Sequence, residues 1–199
     1  MKRSLLLCLW LLAICAKGQH SFTLSHLSVD DGLAHNNIYA LYQDHEEYIW
    51  IGAGPNLHRY DGNQLVTYKH KIDYPNSLPG GDVRSIYQDR KGNLWIGSNS
   101  GGLSLFKDGI FKRIDFGDDQ VPLKTSVEQI IEMPDSSLYL ATWGDGIIIF
   151  KDGASEKIQH YSNDVNSLSS NNVVDLFYDE ESERLWIGTW GWRFVLHGE

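Results

Sequence analysis

Two tryptophans, an aspartate and a few amides are the side chains best suited to chemistry in this 199-residue chain. That chemistry is binding rather than bond-making. Trp143, Asp145 and Trp190 stand in glycine-rich stretches, and Asn56, Asn99 and Arg193 occupy comparable places. An indole face attracts weakly positive C–H groups, while carboxylates, amides and a guanidinium hydrogen-bond hydroxyls. The six together would suit a polar, hydroxyl-rich ligand. The same indoles could instead fill space inside the fold, and the residues alone leave both readings open.

Candidates for catalysis are weaker. Gly97-Ser-Asn-Ser-Gly101 has asparagine, not serine, at its centre, so it is no nucleophile elbow. The eight histidines are scattered, and none forms a His-x-x-x-His or Cys/His cluster, so no metal site and no cofactor is expected. Asp115, Asp118 and Asp119 are close together but lack the alternating ligands of a calcium loop. The chain is therefore not expected to be an enzyme.

The elements that would carry these residues come from a repeat. Tyr48-Ile-Trp-Ile-Gly52, Asn93-Leu-Trp-Ile-Gly97 and Arg184-Leu-Trp-Ile-Gly188 are copies of one phrase, and Ser137-Leu-Tyr-Leu-Ala141 is a degenerate fourth. The anchors Trp50, Trp95, Tyr139 and Trp186 are 45, 44 and 47 residues apart. Periods of this size mean propellers or solenoids. Ahead of each phrase stands an apolar pair three apart: Ile38 and Leu41, Val83 and Ile86, Val127 and Ile130, Val173 and Leu176. After it come a short run ending in an aromatic (Leu57 to Tyr60, Leu103 to Phe106, Ile147 to Phe150) and an Asp-Gly hairpin signal. Weaker fourth strands are expected over 65–68, 111–114 and 157–161.

Four strands per period, with no ten-residue segment of helical periodicity, predict an all-β fold of four-stranded antiparallel β-propeller blades. The expected blades are 34–69, 82–115, 126–161 and 172–199, about three and a half in all, the last with two strands. The recurrent Trp is expected to pack between neighbouring blades, and Gly52, Gly97 and Gly188 to let a neighbour pass close. Asp44, Asp89 and Asp179 read as turn residues whose carboxylates accept local N–H bonds. Sialidase-like propellers carry an Asp box with Gly two and Trp five residues after the Asp. Here Gly92 follows Asp89 by three and Trp95 by six, which does not match.

Residues 1–18 read as a cleaved signal peptide: Lys2 and Arg3, an apolar run to Cys15, then Ala16 and Gly18 at the cleavage positions. Ile14 argues against a lipoprotein whose mature chain begins at Cys15. The mature domain, 19–199, then has no cysteine and no disulfide. Losing Lys2, Arg3 and Lys17 takes the net charge from −9 to −12, which disfavours nucleic acid as partner. No other stretch is apolar enough to span a membrane.

Val83-x-x-Ile-x-x-Asp-x-x-Gly-Asn-Leu-Trp-Ile-Gly97, with Gly101-Gly-Leu103, resembles the two-component regulator propeller repeat. The opening from Leu27 to Ile38 is similar to the start of the periplasmic region of Bacteroidetes-type hybrid two-component sensors. The resemblance implies a periplasmic, ligand-sensing propeller for oligosaccharide signals, with a membrane span and kinase outside this stretch and dimerisation in the full receptor. It departs in three places: at Met133 and Tyr139, at Pro55, and after Gly191, where Trp192 to Glu199 replaces the usual continuation. The expectation is of a truncated segment, whose partners would be the remaining blades of a larger receptor. Closure into a small four-bladed ring is the competing expectation, in which Phe22 to Leu27 pairs with the last blade and Trp192 to Leu196 forms its third strand. A free-standing binding or scaffold propeller, or an inactive remnant, is the alternative function.

Overall fold

A computed structural model describes residues 24–116, 121–159 and 167–197. The proposed signal peptide lies outside that set. Strands β1 (Ile38–Gln43), β2 (Ile49–Ala53), β3 (Asn56–Tyr60) and β4 (Leu65–Tyr68) form one antiparallel sheet in sequence order. Strands β5 (Val83–Gln88), β6 (Leu94–Ser98), β7 (Gly102–Lys107) and β8 (Ile110–Arg113) form the second. A two-stranded ribbon, β9 (Asp115–Phe116) and β10 (Val121–Pro122), leads to the third sheet: β11 (Ser126–Glu132), β12 (Leu138–Trp143), β13 (Ile147–Lys151) and β14 (Ala154–Ile158). The fourth has β15 (Val173–Asp179), β16 (Arg184–Thr189) and β17 (Trp192–His197). The described helix is one 3-10 turn, Val29–Asp31, capped by Ser28 and closed by Gly32.

The fold is therefore all-β, of propeller blades. Two local expectations change. Trp192–His197 forms a third strand on the last blade, paired antiparallel to β16. The fourth strand of blade 3 is Ala154–Ile158 rather than 157–161, because Asp152 (φ 50°) and Gly153 (φ 83°) make a two-residue turn and the chain returns at once. Asp108 (φ 51°) and Gly109 (φ 81°) do the same in blade 2.

Each pair of neighbouring blades encloses its own apolar core. Trp50, Leu57, Leu78, Val83, Ile86, Leu94, Ile96 and Phe111 fill the first interface. Trp95, Leu103, Leu123, Val127, Ile130, Leu138, Leu140 and Ile148 fill the second, and Ala141, Ile147, Leu168, Val173, Leu176, Leu185 and Ile187 the third. The paired apolar residues of each first strand face the preceding blade because a bulge resets the alternation, as between Val83 and Ser85. An added Cβ on Gly52 would sit 2.8 Å from the Val83 carbonyl oxygen, and one on Gly97 2.8 Å from Val127 Cβ. These glycines let the next blade's first strand close in.

Candidate functional site

Trp143 ends β12 and Trp190 follows β16. They hold the same repeat position in consecutive blades, two residues after Ala141 and Gly188, and so meet on one rim of the stack. Their ring centroids are 5.7 Å apart, with planes at 53°. Trp143 is 43% exposed and Trp190 65%, against 3% for Trp50 and 7% for Trp95. Backbone bonds fix the pair. Gly144 N and Gly146 N both donate to Asn171 O at 2.9 Å, and Trp190 N donates to Asn172 O at 2.8 Å. Thr125 Oγ1 donates to the Trp143 carbonyl. Gly144 (φ 110°) and Gly146 (φ 74°) supply the left-handed turns that this loop requires.

Asp145 stands in the same loop and accepts from Lys157 Nζ at 3.0 Å. The pair is partly exposed, so a polar ligand can compete for either partner. Asn99 is already committed: its Oδ1 accepts from Asp82 N at 2.9 Å and its Nδ2 donates to Asp82 Oδ2 at 3.3 Å. It braces the loop entering blade 2. Asn56 heads β3 in blade 1, two blades from Trp143. Arg193 lies on β17, and its side chain is outside the described set. Of the six, the structure thus brings together Trp143, Trp190 and, beside them, Asp145.

At the opposite end of the blades, Asp44 and Asp89 organise the turns before the anchors. Asp89 Oδ1 accepts from Lys91 N (3.0 Å) and Asn93 N (2.8 Å), and Oδ2 from Asn93 Nδ2 and Trp95 Nε1, both at 2.9 Å. Asp44 repeats this with Glu46 N, Tyr48 N and Trp50 Nε1, the last at 2.6 Å. Burial pushes the Asp89 carboxyl up, but the donors around it outweigh burial and hold it below the usual carboxylate range. The indole–carboxylate bond was not anticipated. Its signal was the constant six-residue spacing, kept in blades 1 and 2 and meaningless in blade 3, where Met133 and Tyr139 replace both partners. In blade 4 the spacing is seven, and Asp179 Oδ2 takes Ser182 Oγ at 2.5 Å instead.

Beside these turns, a groove of about 470 Å³ between blades 1 and 2 carries both signs of charge, with Arg59, Lys91 and Lys107 against Glu46 and Asp108. Among the described residues, no three His, Cys, Asp or Glu side chains gather as ligands for a metal. No described helix is long and apolar enough to cross a membrane.

Comparison with known proteins agrees with the repeat. Residues 32–54, 77–100 and 167–191 match the family model described as the two component regulator propeller. The chain is similar to the extracellular domain of the hybrid two component system BT4673 from B. thetaiotaomicron, with TM-score 0.74 and 22% identity over 89% of this chain and 23% of that one. The corresponding domain of BT3049 from the same organism gives TM-score 0.73 and 21% identity over 86% of this chain and 24% of that one. Virginiamycin B lyase from Staphylococcus aureus is more distant, at TM-score 0.56 and 12% identity over 83% of this chain and 57% of that one. At these identities the likeness establishes the fold. The chain spans about a quarter of the length of these two extracellular domains. No curated protein matches it.

Proposed function

We propose that this chain, which carries two-component regulator propeller repeats, is a ligand-sensing segment that works outside the cytoplasmic membrane and takes an oligosaccharide on the Trp143–Trp190 rim. The observation that carries the reading is the exposed, backbone-fixed indole pair. Two large rings left open at adjacent equivalent positions offer stacking faces for sugar C–H groups, with Asp145 and Lys157 beside them for hydroxyls. The signal-like residues 1–18 support export to the periplasm. The net charge of −9 supports a neutral polar ligand over nucleic acid. The sensing role rests on the repeat family, and kinase output would belong to other parts of a receptor.

Calorimetry of the full chain against a panel of plant, fungal and host glycan fragments tests this. One class should bind, and Trp143→Ala with Trp190→Ala should remove that binding while the cooperative melt survives. Binding that is indifferent to both substitutions moves the site elsewhere. If no glycan binds and a protein does, the scaffold reading replaces this one.

A further inference from the structure

A furrow follows the outer edge of the interface between blades 1 and 2, and its charge is the reverse of the chain's. Two adjoining cavities form it, of about 280 and 470 Å³, sharing Tyr68 at the end of β4 and Gly109 in the β7–β8 turn. Five cations line it: Lys69 and Lys71 in the first cavity, Arg59, Lys91 and Lys107 in the second. Three carboxylates, Asp44, Glu46 and Asp108, line the second cavity and none lines the first. The furrow therefore holds an excess of two positive charges in a chain of net charge −9.

Its cations are not spent on the fold. Ion pairs among the described residues use Arg84, Arg90, Lys151 and Lys157, none of which lines the furrow. Arg59 instead sits over the Tyr48 ring, 4.4 Å from its centroid, which positions the guanidinium without consuming its N–H donors. Asp44, by contrast, is committed to Glu46 N, Tyr48 N and Trp50 Nε1. The frame of the first cavity is fixed by the loop that carries its lysines. Ser77 Oγ accepts from Lys71 N at 2.9 Å and donates to Lys71 O at 3.1 Å, and Tyr74 N donates to the same carbonyl at 3.1 Å. Phe111 N donates to Asn76 O at 3.0 Å, tying the β7–β8 hairpin to that loop. Tyr74 stays 63% exposed, with Lys71 Nζ 5.3 Å from its ring centroid.

We propose that this furrow is a second ligand site, for an acidic oligosaccharide whose carboxylate or sulfate groups meet the lysines and Arg59. Such a ligand answers every kind of group present. Its anions pair with the cations, its hydroxyls donate to Glu46 and Asp108, and its C–H groups pack on the Tyr74 ring. An acidic peptide supplies the anions without the density of hydroxyl donors. The chain's overall negative charge does not oppose binding at contact, because charges more than about 10 Å away are screened at 0.1 M salt. The site shares with the Trp143–Trp190 reading a class of ligand and none of its residues.

Calorimetry of the full chain should compare trigalacturonate, a sulfated galactose trimer and the uncharged galactose trimer. At least one acidic trimer should bind, with affinity falling as salt is raised, and the uncharged trimer about tenfold more weakly or not at all. Which acidic trimer binds separates carboxylate from sulfate. Lys69→Gln with Lys71→Gln, both at exposed positions, should weaken that binding about tenfold with an unchanged melt. Trp143→Ala with Trp190→Ala should leave it intact. Acidic binding that survives the tryptophan pair while no neutral glycan binds would sink the rim reading and keep this one. Equal affinity for the uncharged trimer, no binding of either acidic trimer, indifference to the lysine pair or loss with the tryptophan pair each overturns the proposal. A glutamate oligopeptide that binds more tightly than both acidic trimers overturns it too, naming a polypeptide as the occupant.

Discussion

Trp95 both fills an interblade core and donates its indole N–H to Asp89, so its removal costs on two counts. Trp95→Ala should lose about 3–5 kcal/mol, the range for truncating a buried large aromatic. Trp143→Ala, at a ring 43% exposed, should lose much less; equal losses in denaturant melts would place Trp143 in the core and remove it from the site. Asp89→Ala should cost about 1–3 kcal/mol, because the turn N–H groups and the indole lose their acceptor in a buried setting. The carboxyl of Asp89 is depressed in the folded chain. Its support is therefore present above the ordinary value of 3.8 and lost as pH falls through the lower folded value. Acid melts of Asp89→Asn should lack that component. The six-residue Asp–Trp spacing made the pair legible in sequence; the bond itself needed the turn geometry.

At the scale of elements, the segment before β1 is tied down by one buried imidazole. His58, on β3, is fully buried; its Nε2 accepts from Ala34 N at 3.2 Å and its Nδ1 lies 2.9 Å from Thr67 Oγ1. Accepting at Nε2 makes the ring neutral, with its proton on Nδ1 toward Thr67. Burial, followed by the charge of Lys69, lowers its pKa below the ordinary 6.5. The folded state therefore binds fewer protons than the unfolded one in that window. Stability should be full above 6.5 and decline as pH falls from there toward the folded value. A protonated ring would set Nε2–H against the Ala34 N–H, so the segment from Leu27 to Ala34 should loosen first. Amide protection of Ala34, corrected for intrinsic exchange, should drop on going from neutral pH to about 5.5, below the free-imidazole value. His58→Gln should lose that slope; an unchanged pH profile would show that the imidazole does not control the segment.

Across the whole molecule, stability follows nearest-neighbour stacking, since the described blades pack their cores against those beside them. Among the described residues, blades 2 and 3 are stacked on both faces, and blade 4 on one. Hydrogen exchange at dilute concentration should therefore find β6 and β12 slower than β16, where Trp186 is 38% exposed. Uniform protection along the chain would mean that the array unfolds as one cooperative body, with no weak end.

Repetition, strand order and turn chemistry were determined by the sequence alone, because each is a local signal. The Trp-Ile-Gly phrase, the apolar pairs three apart and the Asp-Gly turns act within one blade of about 45 residues. Tertiary structure decided what happens between blades. Tryptophans of identical type end up buried at 95 and open at 143 because one faces the next sheet and the other tops a rim loop. Trp143 and Trp190, 47 residues apart, become neighbours only because consecutive blades stack in register. Asn99 left the candidate site for the same kind of reason, since folding brings Asp82 within reach of both its amide atoms. The third strand of blade 4 belonged only to the competing, ring-closing expectation, because Trp192 to His197 lacks the glycine-leucine entry of other copies, yet the exposed edge of β16 pairs with it all the same. Backbone hydrogen bonding tolerates that change of sequence, and the side-chain pattern does not reveal it.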